Sequence, residues 1–283
     1  KSAGIFPGKE LLTLLLVLMY YFHFPIRMTN NNIIKKPDYI ICCGMPRSGS
    51  TLQYQIVKAC LELDADVEVY GWLEVDEFES FFKSGKKSNS STTLLKIHSF
   101  HDFFIDNRLF SNSKFIYVHR DVRDVFVSQM YKMGKSFDEL LLSEFLVGIQ
   151  FHFYKWLNFP NKYRTTYKRL MENMTMEVER IAFFLNLNIS VEQVQGIVAE
   201  LNIDNQIKKI RNSDANEIYD KKTLLHPNHI NSGEQGQFES LSFIERYKLE
   251  NLMQSVLNEQ GYKTETQSFF GKLKFSLISK LSV

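Results

Sequence analysis

The sequence predicts an α/β protein in which a central parallel sheet is flanked by helices, giving three layers. Short apolar segments bounded by turn residues alternate with longer segments of helical character, which is the pattern of such a sheet. One of them, FIYV at 115–118, is continuously apolar, as is typical of a strand that helices cover on both faces. The first strand candidate also runs directly into a glycine-containing loop and the start of a helix. These three observations together predict the fold class.

The predicted strands and helices alternate along the chain. We expect strands at residues 39–43, 67–70, 93–98, 114–119 and 164–167. We expect helices near residues 72–83 and 136–158, and polar loops at 83–92 and 211–240. Helix starts are also indicated by two capping boxes, which begin at Ser190 and Ser242. They predict helices near 191–201 and 243–259.

Composition limits the classes of function. The 283 residues are 44% hydrophobic and 23% charged, so the chain can bury a sizeable core. The formal net charge is only +2, and no long basic stripe is present, so nucleic acid is not an expected partner. The three cysteines, Cys42, Cys43 and Cys60, show no C-x-x-C spacing and are expected to be buried free thiols. The scattered histidines also show no metal-binding motif, so no metal site is expected.

The junction after the first strand predicts an anion site. Residues 44–51 read GMPRSGST, a loop whose backbone N–H groups and following helix N-terminus would face a phosphate-like group. The G-x-x-x-x-G spacing resembles a P-loop, but Ser50 stands where a nucleotide-triphosphate loop requires lysine. This disfavours γ-phosphoryl transfer. Arg47, earlier in the loop, can instead fork onto a tetrahedral oxyanion group.

Titratable side chains follow the other strand candidates. Because ligands of parallel sheets bind at the carboxyl ends of the strands, Lys96, His98, Arg120 and Tyr167 are expected to meet the loop there. Lys96 and His98 alternate with Ile97 and so share one face of their strand. An imidazole, with an ordinary pKa of about 6.5, can accept a proton near neutral pH. A purely structural histidine is the alternative, and His101 and Glu74 are reserve candidates for the base.

Five segments, in this order, resemble the sulfotransferases that use 3′-phosphoadenosine 5′-phosphosulfate (PAPS). PRSGST at 46–51 resembles the family's 5′-phosphosulfate loop, and LLKIHSF at 94–100 resembles its K-x-H strand end. FIYVHRDVRDVFVSQMY at 115–131 resembles the 3′-phosphate motif. TYKRLMENMTMEVERIAFFLNL at 166–187 resembles the segment whose tyrosine lies against adenine, and HINSGEQGQF at 229–238 occupies the place of the C-terminal glycine loop.

The resemblance implies a role for each of these motifs. It implies PAPS as sulfate donor, transfer without a metal, and a reacting centre made of Arg47, Lys96 and His98, with His98 as general base. It implies that the nucleotide is bound by Arg47, Ser48, Gly49, Ser50, Thr51, Arg120, Ser128, Tyr167, His229, Asn231, Ser232 and Gly233.

Two departures from the family pattern affect the nucleotide site. Asn231-Ser232-Gly233 stands where cytosolic members carry Arg-Lys-Gly, so two cations expected on the 3′-phosphate are missing. Leu52 replaces an aromatic residue that those members pack on adenine. We therefore expect Arg120 and Ser128 to carry more of the discrimination for a 3′-phosphorylated nucleotide.

The two ends of the chain differ from its middle. We expect an apolar N-terminal extension at 1–36, a sulfotransferase domain at 37–263 and a basic amphipathic tail at 264–283. Segments 11–26 and 269–281 are candidates for membrane contact, although the apolar run is shorter than the roughly 17 to 25 residues of a bilayer span. The alternative is that both ends pack on the domain. Reduced thiols favour a cytoplasmic location, whereas a short N-terminal anchor would favour a lumenal one.

The sequence therefore favours an enzyme that moves a sulfuryl group from PAPS to a hydroxyl or amine of a small-molecule, lipid or glycan acceptor. Two alternatives stay open at this point. One is a degenerate P-loop nucleotide kinase, and the other is a non-catalytic anion- or nucleotide-binding module at a membrane.

Overall fold

A computed structural model describes residues 36–64, 66–83, 92–106, 108–160, 162–212, 224–225, 233–268 and 271–276. In this part of the chain the predicted α/β fold is confirmed by a five-stranded, all-parallel sheet. Its strands are β1 (Tyr39–Gly44), β2 (Val67–Trp72), β3 (Thr92–Ile97), β4 (Lys114–His119) and β5 (Lys162–Thr166). They match the predicted strands, with ends that differ by one or two residues.

The strand order is β2-β3-β1-β4-β5, which places β1 at the centre of the sheet. Cys42 of β1 pairs with Lys96 of β3 on one side and with Ile116 of β4 on the other. The connections that leave β1 and β4 run toward opposite edges of the sheet. A crevice therefore opens at the carboxyl ends of these two strands, where the anion loop begins.

Helices cover both faces of the sheet. They are α1 (Ser50–Asp64), α2 (Phe78–Lys83), α3 (Phe103–Asp106), α4 (Val122–Met133), α5 (Phe137–Leu141), α6 (Phe145–Asn158), α7 (Tyr167–Glu172), α8 (Met174–Leu185), α9 (Val191–Leu201), α10 (Ile203–Asn212), α11 (Phe243–Leu252) and α12 (Gln254–Gln260). Both predicted capping boxes form, at Ser190 and at Ser242. Each serine side chain accepts a hydrogen bond from the backbone N–H of the third helical residue, and the side chain of that residue accepts one from the backbone N–H of the serine.

Three predicted helices need correction. The helix expected near 136–158 is interrupted at residues 142–144, which separate α5 from α6. The segment expected to be helical from residue 72 still belongs to β2 at Trp72, and its helix begins only at Phe78, so Glu74 lies in a loop. The helix expected over 243–259 is broken at Met253, whose N–H bonds to Leu249 and which separates α11 from α12.

Each face of the sheet is buried by a different set of side chains. Ile40 and Cys42 of β1 pack with α1, α8 and α9, whereas Ile41 and Cys43 face an aromatic cluster that includes Tyr117 and Trp156. This alternation follows from the two-residue period of a strand. The predicted free, buried state of all three cysteines is confirmed.

The C-terminal segment packs on α11 over its described part. Residues 271–276 are helical. Phe275 stacks on Tyr247 with ring centroids 4.2 Å apart, and Lys274 lies 4.4 Å from the ring of Phe243. No helix in the described ranges is long and apolar enough to cross a membrane. The N-terminal candidate for membrane contact, 11–26, lies outside the described residues.

Candidate active site

A cavity of about 470 Å³ lies at the carboxyl ends of the strands. Its wall combines the loop after β1, the ends of β3 and β4, one side of α4 and the start of α7. The predicted site residues that line it are Arg47, Gly49, Ser50, Thr51, Lys96, His98, Arg120, Ser128, Tyr167 and Gly233. Ser48 is not among the lining residues, and His229, Asn231 and Ser232 lie outside the described part of the chain.

The loop after β1 has a conformation that only small residues permit at two positions. A Cβ at Gly44 would lie 2.7 Å from Val118, and one at Gly49, whose φ is +80°, would lie 2.6 Å from the ring of Tyr167. Arg47 also has a positive φ of 62°. Ser48 stabilises this turn, because its hydroxyl donates to the carbonyl of Met45. The loop leads directly into α1. The N–H groups in the first turn of this helix have no partner within the helix and are thus available to an anion.

Lys96 is a buried amine beside this loop. Its Nζ donates to Thr51 Oγ1 at 2.6 Å and lies 5.5 Å from the ring of Trp72. Only 3% of the residue is exposed. Burial lowers the pKa of Lys96 to about 7, since the charged amine has lost most of its hydration. An anion beside this amine would favour its charged form.

His98 is held in one tautomer by the same loop. Its Nδ1 lies 2.7 Å from the carbonyl oxygen of Gly44, which can only accept, so Nδ1 carries the proton and donates. The lone pair is then on Nε2. Burial, together with the charge of Lys96, lowers the pKa of His98 to about 3, so the ring is neutral near pH 7. The ring of Trp72 packs edge-on against it at 4.8 Å.

The two reserve candidates for the base are placed differently. Glu74 lines the cavity, but its Oε1 accepts the indole N–H of Trp72 at 2.5 Å. His101 is not among the lining residues, since its ring stacks on Phe78 and its Nδ1 accepts the N–H of Phe103. Of these three residues, His98 thus combines a cavity position with a ring nitrogen that has no hydrogen-bond partner in the described part of the chain.

Arg47 and Arg120 bring positive charge to the same wall. Arg47 Nε donates to Ser128 Oγ at 3.0 Å, and burial, followed by the charge of Arg120, lowers the pKa of Arg47. Lys132 also lines the cavity and was missed by the sequence argument. Its position four residues after Ser128 on one helix face was the signal that could have found it. This excess of cations suits an anionic ligand.

Arg120 is positioned by three neighbours. Its guanidinium lies 4.3 Å from the ring centre of Tyr167, and Nη2 donates to the carbonyl of Glu234 at 2.5 Å. Nη2 also pairs with Asp124 at 3.3 Å. Of the two neighbouring aspartates, Asp124 therefore pairs with Arg120, whereas Asp121 binds Arg123. Arg120 Nε is buried and has no hydrogen-bond partner among the described residues, so one donor of this guanidinium is unused.

Tyr167 begins α7 and lies between the two ends of the site. Its ring contacts the position of Gly49 on one side and the guanidinium of Arg120 on another. Its hydroxyl donates to the carbonyl of Gly233 at 2.6 Å. The sequence placed it at the end of β5, but β5 ends at Thr166.

Comparison with known proteins now decides the family. A model of the sulfotransferase domain matches residues 37–240. The chain belongs to the sulfotransferase family. The resemblance read from the five sequence segments is therefore confirmed, and the protein is an enzyme of that family. Comparison of its sequence with curated proteins gives no match.

Solved structures share the fold of this sulfotransferase. Mouse sulfotransferase SULT7A1 in complex with PAP is 14% identical, with a TM-score of 0.58 over 84% of this chain and 87% of the mouse chain. Retinol dehydratase in complex with androsterone and the inactive cofactor PAP is 17% identical, with a TM-score of 0.54 over 78% and 81% of the two chains. Retinol dehydratase with retinol and PAP is 16% identical, with a TM-score of 0.51 over 78% and 82%.

Part of the remaining cavity wall in this sulfotransferase is apolar. The apolar side chains come from α1, α7, α9 and α10 and from residues 224–225. They are Leu52, Met171, Leu201, Ile203, Leu224 and Leu225. None of Phe78, Phe82, Phe151 and Phe153 lines this cavity, since the first two and Phe153 are buried in the core and Phe151 is exposed. In the described ranges, no group of three or more His, Cys, Asp or Glu side chains could hold a metal ion.

Replacement of Gly49 by alanine is expected to destabilise the sulfotransferase by about 1–3 kcal/mol, because the new methyl group would overlap the Tyr167 ring at a left-handed φ. Gly148 on α6 is the matched control. A Cβ there meets nothing within 4 Å, so Gly148→Ala should stabilise the helix by about 0.5–1 kcal/mol. Urea unfolding of both variants measures this difference, and equal stability of Gly49→Ala and wild type would contradict the packing described.

Proposed function

We propose that this sulfotransferase moves a sulfuryl group from PAPS to a hydroxyl or amine of a small-molecule acceptor, with His98 as general base. One observation carries the proposal. The uncommitted Nε2 of His98, the amine of Lys96 and the guanidinium of Arg120 line a single cavity with the loop after β1. A base, a cation for the reacting group and a second anion site are what the reaction requires.

The two ends of the cavity suit the two charged groups of the nucleotide. Loop N–H groups, Arg47 and Lys96 would bind the phosphosulfate end, and Arg120 with Ser128 would bind the 3′-phosphate. Tyr167 contacts both ends and would support the nucleoside between them. The apolar wall around Leu224 and Leu225 gives a surface for a heterocyclic base. The three solved structures with the same fold contain PAP, which supports a nucleotide of this kind as the ligand.

Proton transfer follows from the tautomer of His98. Bound PAPS supplies an activated sulfuryl group whose leaving phosphate oxygen gains negative charge. Nε2 of His98 would accept the proton of the attacking hydroxyl, since Nδ1 stays committed to the carbonyl of Gly44. Arg47 and Lys96 would donate to the oxygen that gains charge, in a site with little competing water.

The acceptor would enter beside His98. There the wall is formed by Trp72, Glu74, Gln129 and Lys132, which together offer an aromatic face and polar edges. The retinol and androsterone named for the retinol dehydratase complexes are small apolar molecules with one ring or more and an oxygen substituent. We extend to this chain only the acceptor class, a small apolar molecule that carries a hydroxyl or an amine.

Ligand-dependent thermal unfolding tests the nucleotide assignment. At about one hundred times its Kd, adenosine 3′,5′-bisphosphate should raise Tm by about 5 °C. Adenosine 5′-monophosphate and Mg-ATP at the same concentration should raise it less. A larger response to Mg-ATP would favour the nucleotide kinase. Binding of the bisphosphate without transfer of sulfate from PAPS to any hydroxyl or amine in an acceptor panel would favour the non-catalytic module.

A further inference from the structure

A single buried carboxylate joins two parts of the cavity wall that lie far apart in sequence. Asp124 is one helical turn after Arg120, and its side chain is 4% exposed. Oδ2 accepts the N–H of Gly236 at 3.0 Å and pairs with Arg120 Nη2 at 3.3 Å. Oδ1 accepts the N–H of Phe238 at 3.2 Å. One side chain therefore contacts both the guanidinium and two backbone amides of segment 233–238.

Segment 233–238 has further bonds to the same wall. The carbonyl of Glu234 accepts from Arg120 Nη2, and the carbonyl of Gly233 accepts from the hydroxyl of Tyr167. Backbone groups of this segment are thus bonded to three side chains that converge on the nucleotide end of the cavity. A change in the position of Arg120 would be transmitted to the segment both directly and through Asp124.

Asp124 also contacts only one nitrogen of the Arg120 guanidinium. It shares Nη2 with a backbone carbonyl, whereas Nε is buried without an acceptor in the described part of the chain. The guanidinium also feels the charge of Arg47, which lines the same cavity. The carboxylate of Asp124 beside Arg120 offsets this repulsion.

We propose that Asp124 is a positioning residue that couples recognition of the 3′-phosphate at Arg120 to the placement of segment 233–238. The inference rests on the proposed function, because it takes the anion at Arg120 to be the 3′-phosphate of the nucleotide. Such coupling is reciprocal. A phosphate on Arg120 stabilises the segment, and a fixed segment increases the affinity for the phosphate. The described contacts of Asp124 include neither His98 nor the loop after β1, so the chemical step is not its target.

The variant Asp124→Asn tests this role, because it keeps the shape of the side chain and removes its charge. Calorimetric titration should show that Kd for adenosine 3′,5′-bisphosphate rises by roughly tenfold, while Kd for adenosine 5′-monophosphate changes by less than about twofold. KM for PAPS should rise with little change in kcat. Asp138→Asn is the matched control, since Asp138 is an exposed carboxylate 3.9 Å from Lys248, and it should leave both affinities unchanged.

The outcomes separate this inference from the proposed function. Wild-type protein that does not prefer the bisphosphate to the monophosphate would overturn both. A wild-type preference that Asp124→Asn retains in full would overturn only the role of Asp124. Should the variant not fold, amide hydrogen exchange in wild-type protein decides. Stronger protection of 233–241 by the bisphosphate than by the monophosphate at equal saturation supports the coupling, and equal protection overturns it.

Discussion

His98→Asn is expected to lower kcat by about 10²- to 10⁴-fold while leaving Kd for adenosine 3′,5′-bisphosphate nearly unchanged. The asparagine amide can still donate to the carbonyl of Gly44, as Nδ1 of His98 does at 2.7 Å, so the loop after β1 keeps its support. What the variant loses is the lone pair of Nε2. His98→Ala should lose turnover similarly but also leaves the Gly44 carbonyl without this donor.

The matched control for this prediction is His101→Asn. His101 is three residues further along and outside the cavity lining, so the same substitution there should change kcat by less than about twofold. Steady-state rates with PAPS and any accepted hydroxyl compound, together with nucleotide titrations, provide the measurement. Unchanged turnover in His98→Asn would remove His98 from the role of base.

Lys96→Met is expected to lower kcat/KM for PAPS by about 10²- to 10³-fold. Methionine fills a similar volume but cannot stabilise charge on the departing oxygen.

The substitution is expected to lower activity but to increase the stability of the folded protein. Because the folded pKa of Lys96 is about 7 and its usual value is 10.5, the unfolded chain binds more protons between these two values. Wild-type stability should therefore rise with pH from about 7 toward 10.5, and this rise should be weaker in Lys96→Met.

Proton uptake gives a second measurement on the same variant. Above pH 7 Lys96 is largely neutral, and a nucleotide anion at the loop favours its charged form, so binding should take up a proton. Calorimetry at pH 8 in buffers of different ionisation enthalpy measures this uptake. The same uptake in Lys96→Met would mean that another group titrates, and full activity of the variant would exclude Lys96 from the reacting centre.

The fold and the anion loop could be predicted from sequence because their signals are local. A strand buried on both faces, a glycine loop and a capping box each show within a few residues. The sequence predicted that β2 ends at residue 70 and that a helix begins at 72, and this error also has a local cause. Gly71 adopts a φ of +94° beside a register shift, which lets the strand continue to Trp72. The run of 72–83 carried no signal for that irregularity.

The remainder of the site depends on contacts between distant parts of the chain. Lys132 and Asp124 were visible in the sequence as charges on one helix. Only the fold shows that Lys132 lines the cavity and that Asp124 bonds to segment 233–238. The apolar wall formed by Leu201, Ile203 and Leu224 had no motif at all. Packing of this kind follows from tertiary structure, which hydrophobic periodicity does not report.

The wedged ring of Tyr167 has a consequence for ligand size. Its phenol packs between the Gly49 turn, the guanidinium of Arg120 and the carbonyl of Gly233, so it holds the distance between the turn and the guanidinium. A molecule whose two anionic groups match that distance meets binding groups that are already in place. Little conformational entropy is then lost on binding. A molecule with only one anionic group can contact only one of the two.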